Sequence, residues 1–85
     1  GGVRAVYTTA DGEGRVALEM VVGPRFAERT AAELEDAVDA RVITVRSKSS
    51  RSAVRAKADT PIGPGDQLLL DAGARAVDAL RAALR

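Results

Sequence analysis

The stretch DTPIGPGDQLLLDAG, residues 59–73, decides the fold. Proline fixes φ and glycine admits positive φ, so Pro61, Gly63, Pro64 and Gly65 restrict the backbone to a tight turn. The Asp66 carboxylate is expected to accept amide hydrogens of that turn. A strand follows from about Asp66. Leu68, Leu69 and Leu70 form a short apolar run closed by Asp71 and Gly73, a pattern that predicts a strand buried on both faces. The turn sets the register of that strand.

Working outward, residues 53–58 alternate Val54, Ala56 and Ala58 with Arg55 and Lys57, which predicts a hairpin arm with its apolar side inward. Residues 47–52 are serine-rich and read as a loop. Residues 41–46 are rich in β-branched side chains and read as a central strand. From Ala74 onward, Val77, Leu80 and Leu84 recur at helical spacing with Ala76 and Ala83, opposite Arg75, Asp78, Arg81 and Arg85, so an amphipathic helix closes the chain. Upstream, Thr30-Ala31-Ala32-Glu33 fits a capping box, opening a helix that reaches about Val38 and buries Leu34 and Val38. Residues 15–22 alternate as a half-buried strand, and residues 3–9 form its hairpin partner across the turn-rich residues 11–14. The expected fold is α+β: a small mixed or antiparallel sheet of about five strands with two helices on one face, in the order β-β-α-β-β-β-α.

At 85 residues the chain is expected to form one domain over residues 1–85, with residues 1–14 an extra strand or linker remnant. A domain of this size buries roughly 60–65% of its unfolded surface. The composition is 46% hydrophobic but 2% aromatic, so the core is thin and a partner surface is expected, most simply in a homodimer. With no cysteine and no histidine, disulfides, thiolate zinc sites and imidazole chemistry are excluded. No nucleophile with an adjacent base is visible, so an enzyme is not expected. A net charge of +1 carries no strong overall field. No apolar run is long enough to span a membrane and no signal peptide is visible, giving the expectation of a soluble, cytoplasmic domain.

Four local patterns resemble the RCK C-terminal (TrkA-C) regulatory domain family of potassium channels, potassium transporters and cation/proton antiporters. They are Val21-Val22-Gly23 followed by Ala32-Glu33-Leu34; the strand Val42-Ile43-Thr44-Val45-Arg46; the turn Asp59-Thr60-Pro61-Ile62-Gly63-Pro64-Gly65-Asp66 with Leu68, Leu70 and Gly73; and the closing helix with Val77 and Leu80. Together they span about residues 15–84. The resemblance implies a homodimer that senses a small effector at its interface and acts on a membrane channel, transporter or antiporter. It implies no resident cofactor; cyclic di-AMP or a related nucleotide is the leading ligand. It maps ligand contacts to Leu34, Glu35, Asp36, Arg41 and Val42, where Glu35-Asp36 depart from the family pattern by placing acids near a phosphate.

A second candidate comes from the residues themselves. Arg46, Lys48, Arg51, Arg55 and Lys57 crowd one hairpin, with Ser47, Ser49, Ser50 and Ser52 between them, and form either an anion patch or a solvated tip that discourages edge aggregation. Glu33, Glu35, Asp36 and Asp39 are carboxylates on adjacent turns; a solvated helix face accounts for them better than a metal site. A structural dimerisation domain without ligand is the alternative. An RNA-binding module is weaker still, because Tyr7 and Phe26 are the only aromatic residues, and nucleic acid polymer is not an expected partner.

Overall fold

The computed structural model describes residues 3–8, as backbone, and residues 14–85. The elements are β1 (Val3–Thr8), β2 (Arg15–Val21), β3 (Arg29–Thr30), α1 (Ala31–Ala37), β4 (Ala40–Arg46), β5 (Val54–Arg55), β6 (Pro61–Ile62), β7 (Gln67–Gly73), a 3-10 turn at Ala74–Ala76, and α2 (Val77–Ala83). The fold is α+β. One antiparallel sheet has the order β1-β2-β7-β4-β5, and β3 pairs with β6 in a small separate ribbon. Of the turn expected between the first two strands, residues 11–13 lie outside the described residues.

The proline-glycine turn works as its residues require. Asp66 Oδ2 accepts the Gly63 amide at 2.9 Å, and Gly65 takes φ +84, a conformation costly for any residue with a Cβ. The turn is also tied to the chain leaving β2: the Gly65 amide donates to the Val22 carbonyl at 2.9 Å and the Val22 amide to the Asp66 carbonyl at 2.8 Å. Those bonds fix Val21 opposite Gln67, so that Met20 faces Leu68 and Leu18 faces Leu70. A one-residue slip would reverse every side chain of β7.

β7 is the middle strand, yet it is buried on one face only. Leu68, Leu70 and Ala72 are fully buried, whereas Gln67, Leu69, Asp71 and Gly73 remain partly exposed. The expectation that the leucine run is buried on both faces is therefore corrected. Leu18, Met20, Val42 and Val45 continue the buried face across β2 and β4, and Leu34 of α1, Leu80 of α2, Phe26 and Ile62 join the same cluster. The helices cover that face and no other, which leaves Leu69 on the side without a helical layer.

α1 opens on the expected capping box: Thr30 Oγ1 accepts the Glu33 amide at 3.2 Å and Glu33 Oε1 accepts the Thr30 amide at 3.0 Å. It stops at Val38, whose backbone is extended and whose side chain is half-buried against the core. Leu80 and the following Leu84 anchor α2. The Gly23 amide donates to the Leu84 carbonyl at 2.6 Å, and a Cβ on Gly23 would stand 2.1 Å from the Arg85 carbonyl carbon. Glycine is required there because backbone meets backbone.

The hairpin arm expected over residues 53–58 is reduced to Val54–Arg55, and of its apolar side Ala56 alone packs against the core, while Val54 is 57% exposed and Ala58 is exposed. Backbone demand elsewhere explains this. The Ala58 carbonyl accepts the Ala32 amide and the Thr60 carbonyl accepts the Ala31 amide, at 3.0 and 2.9 Å, so this segment serves two of the orphan donors at the start of α1 instead of extending the ladder. The β3–β6 ribbon, unforeseen in the sequence, belongs to the same tie. No described helix is long and apolar enough to cross a membrane.

Candidate functional site: the open face of the sheet

Cross-strand register arranges the less buried side of the sheet in three rows. Ala17, Asp71 and Arg41 form the first; Glu19, Leu69, Thr44 and Arg55 the second; Val21, Gln67 and Arg46 the third. A bulge between Val42 and Thr44 leaves Ile43 out of the pairing and 39% exposed at the β4 edge. The face divides chemically along its length. The β2–β7 half carries Ala17, Val21 and Leu69 with two acids, Glu19 and Asp71, and the β4–β5 half carries Arg41, Arg46 and Arg55.

At one end, half-buried Arg15 joins three elements. Its Nε donates to Asp71 Oδ1 and its Nη1 to Asp39 Oδ1, both at 3.2 Å, and its Nη2 donates to the Asp71 carbonyl at 3.4 Å. The Asp71 carboxylate foremost, and that of Asp39 after it, raise the Arg15 pKa above its ordinary value, so the guanidinium stays charged throughout. Asp71 is consequently spoken for by Arg15, although Arg41 is its cross-strand neighbour. Two open grooves on the cationic half are each lined by a pair of arginines. One, of about 410 Å³, is flanked by Arg41, Arg55, Ile43 and Asp71. The other, of about 270 Å³, is flanked by Arg46, Arg51, Thr44, Gln67 and Glu19. Arg46 is positioned by a hydrogen bond from its Nη2 to Gln67 Oε1. Among the described residues, Arg41, Arg46, Arg51 and Arg55 make no ion pair with a carboxylate.

The five helix-end candidates do not converge. The Leu34 side chain is fully buried and that of Val42 nearly so, both inside the core. Glu35 Oε2 accepts the Val42 amide at 2.7 Å, so the carboxylate occupies a donor at the edge of β4 that an added strand would otherwise take. Asp36 is exposed on α1, and Arg41 projects on the open face. The basic hairpin set also divides. Arg46, Arg51 and Arg55 line the two grooves, while Lys48 shares a further groove of about 300 Å³ with Arg46 and lies over Gly65, its Cδ 2.8 Å from where a Cβ would be. Lys57 is exposed in the turn before β6, where its amide donates to Thr60 Oγ1. Of the serines, Ser47 and Ser49 share a hydrogen bond, and Ser50 and Ser52 close a second local turn.

The four acids that share adjacent helical turns in sequence have separate partners. Glu33 caps α1, Glu35 holds the Val42 amide, Asp39 pairs with Arg15, and Asp36 is solvated. The Thr30 backbone amide, then its hydroxyl, lower the Glu33 pKa below the ordinary carboxylate value. Sequence reasoning missed Arg15, Glu19, Gln67, Leu69 and Asp71 as members of one surface. The signal lay in the polar positions alternating with buried ones along β2 and β7, and the apolar Leu69 obscured it. No family model, curated protein or solved structure matches this chain.

Proposed function

We propose that the chain is a non-enzymatic regulatory domain that pairs with a second copy of itself through the open sheet face and senses a small anionic effector at that seam. The effector class is a cyclic dinucleotide such as cyclic di-AMP, or a related nucleotide. The output is control of a membrane channel, transporter or antiporter for potassium or another monovalent cation, from the cytoplasmic side, in the manner of the RCK C-terminal domains that the sequence resembles. The observation that carries the reading is the two-part open face. Its apolar strip of Ala17, Val21 and Leu69 gives a second copy surface to cover, and among the described residues Arg41, Arg46, Arg51 and Arg55 lack a carboxylate partner.

An effector held by two subunits shifts their arrangement only by its differential affinity for the paired state. The arginine-rich half supplies such a difference, because two cationic surfaces brought together repel one another until an anion lies between them. A dimerisation domain without ligand is favoured by one specific observation: at the helix end, Leu34 and Val42 are buried and Glu35 is engaged, so little remains there to hold a nucleotide. Calorimetry with cyclic di-AMP at micromolar protein, alongside sedimentation, separates the two. Binding heat accompanied by a dimer supports the sensor; a dimer without binding heat supports the structural reading.

A further inference from the structure

We infer that the β4–β5 half of the open face is a binding site for a nucleotide-sized ligand carrying at least two phosphate groups, one gripped by Arg41 and Arg55 and the other by Arg46 and Arg51. This deepens the sensor reading and moves its site from the end of α1 to the sheet. Three observations converge on it.

The first is charge. The four guanidinium groups belong to one surface and, among the described residues, none has a carboxylate partner, even though Asp71 is Arg41's neighbour across the strands. Arg15 already holds that carboxylate from the other side. The second is spacing. Arg41 and Arg46 stand opposite Asp71 and Gln67, four residues apart on β7, a separation of about 13 Å, and Arg55 stands opposite Thr44 between them. The two arginine pairs line grooves that share no residue, so one phosphate fills one groove and a ligand with two phosphate groups can fill both. The third is preparation. Arg46 is held by Gln67, so one guanidinium is positioned in advance, and the Thr44 hydroxyl adds a neutral donor between the grooves.

The ligand is small because the grooves measure about 410 and 270 Å³ and the only described aromatic side chain, Phe26, is buried in the core, away from this face. A nucleic acid strand bound without sequence readout would rely on stacking platforms that the described part of this surface does not offer. Arginine, unlike lysine, grips phosphate oxygens in pairs, and all four cations at the grooves are arginines.

The test is a titration of the isotopically labelled protein with inorganic tripolyphosphate at physiological salt, followed by NMR of backbone amides and arginine Nε–H groups, with the mass of each sample read by sedimentation. Saturable shifts centred on Thr44, Arg46 and Arg55 are expected. Arg46→Ala and Arg55→Ala should each weaken binding by about tenfold, while Lys57→Ala, which removes a cation from outside both grooves, leaves it within about twofold. The proposal is overturned if no saturable binding occurs, if Lys57→Ala weakens binding as much as Arg46→Ala, or if a single-stranded oligonucleotide binds more tightly than tripolyphosphate. Sedimentation keeps the two readings apart. Binding by a single-chain species sustains the phosphate site and contradicts the dimer; a dimer without binding does the reverse.

Discussion

Leu68 and Leu69 are chemically identical neighbours on the central strand, and they live in opposite worlds. Leu68 is fully buried between the sheet and the helices; Leu69, one residue on, faces the side that the helices leave open. The same contrast runs across the whole sheet. Every described residue that is fully buried is apolar, while the opposite face mixes three apolar side chains with acids, amides and arginines. One face has a single purpose, to exclude water, and satisfies it within one chain. The other places partly exposed apolar side chains beside four arginines that, among the described residues, have no carboxylate partner.

The largest expected effect separates the two faces directly. Leu70→Ala should cost about 3 kcal/mol in urea unfolding, because it opens a cavity in a fully buried site, whereas Leu69→Ala in the monomeric state should cost under about 1 kcal/mol. Equal losses would erase the distinction. Gly23→Ala comes next, at about 2 kcal/mol, since the new methyl collides with the Arg85 backbone and must displace the end of α2. Protection of the Gly23 amide from hydrogen exchange should fall in parallel.

Glu35→Ala sharpens the comparison at the sheet's margin. It strands the Val42 amide, at a cost of about 1–2 kcal/mol, and Glu35→Gln, which keeps an acceptor oxygen, should recover most of it. If both variants are as stable as the original chain, Glu35 is not serving that edge. The smallest effect concerns the cap of α1. Thr30→Ala should cost about 1 kcal/mol at neutral pH. Since the folded state lowers the Glu33 pKa, the capping contribution is present above the ordinary value of 4.5 and is lost as pH falls through the lowered folded value. The gap in stability between Glu33→Gln and the original chain should accordingly narrow on acidification, in urea unfolding at neutral pH and well below pH 4.5.

What could be read in the sequence was whatever is enforced locally. The capping box needs four consecutive residues, and the turn closed by Asp66 needs four more, so both were visible before any tertiary contact was known. The closing helix showed itself through Leu80 and Leu84. The face left open did not, because three consecutive leucines fit burial on one side or on two, and the choice depends on where both helices pack. Residues 53–58 carried a strand's alternation, yet the backbone there is claimed by the first turn of α1, a demand arising more than twenty residues away. Glu35 looked like a solvated helical acid for the same reason: the amide it accepts lies on the next strand. The arginines were recognisable as a basic set, and only the sheet register puts Arg46 and Arg55 on one face with Arg41, with Arg51 joining them from the loop after β4.

The claim on which this account turns is that the open face is made to be covered by a second copy. Sedimentation equilibrium of the chain and of Leu69→Lys, a change that the exposed side and neighbouring Glu19 accommodate, tests it most directly. Twice the 8.8 kDa chain mass is expected for the original protein and the single mass for a still-folded Leu69→Lys. A single mass for the original protein across the micromolar range with tripolyphosphate present, or an undiminished dimer for Leu69→Lys, contradicts it.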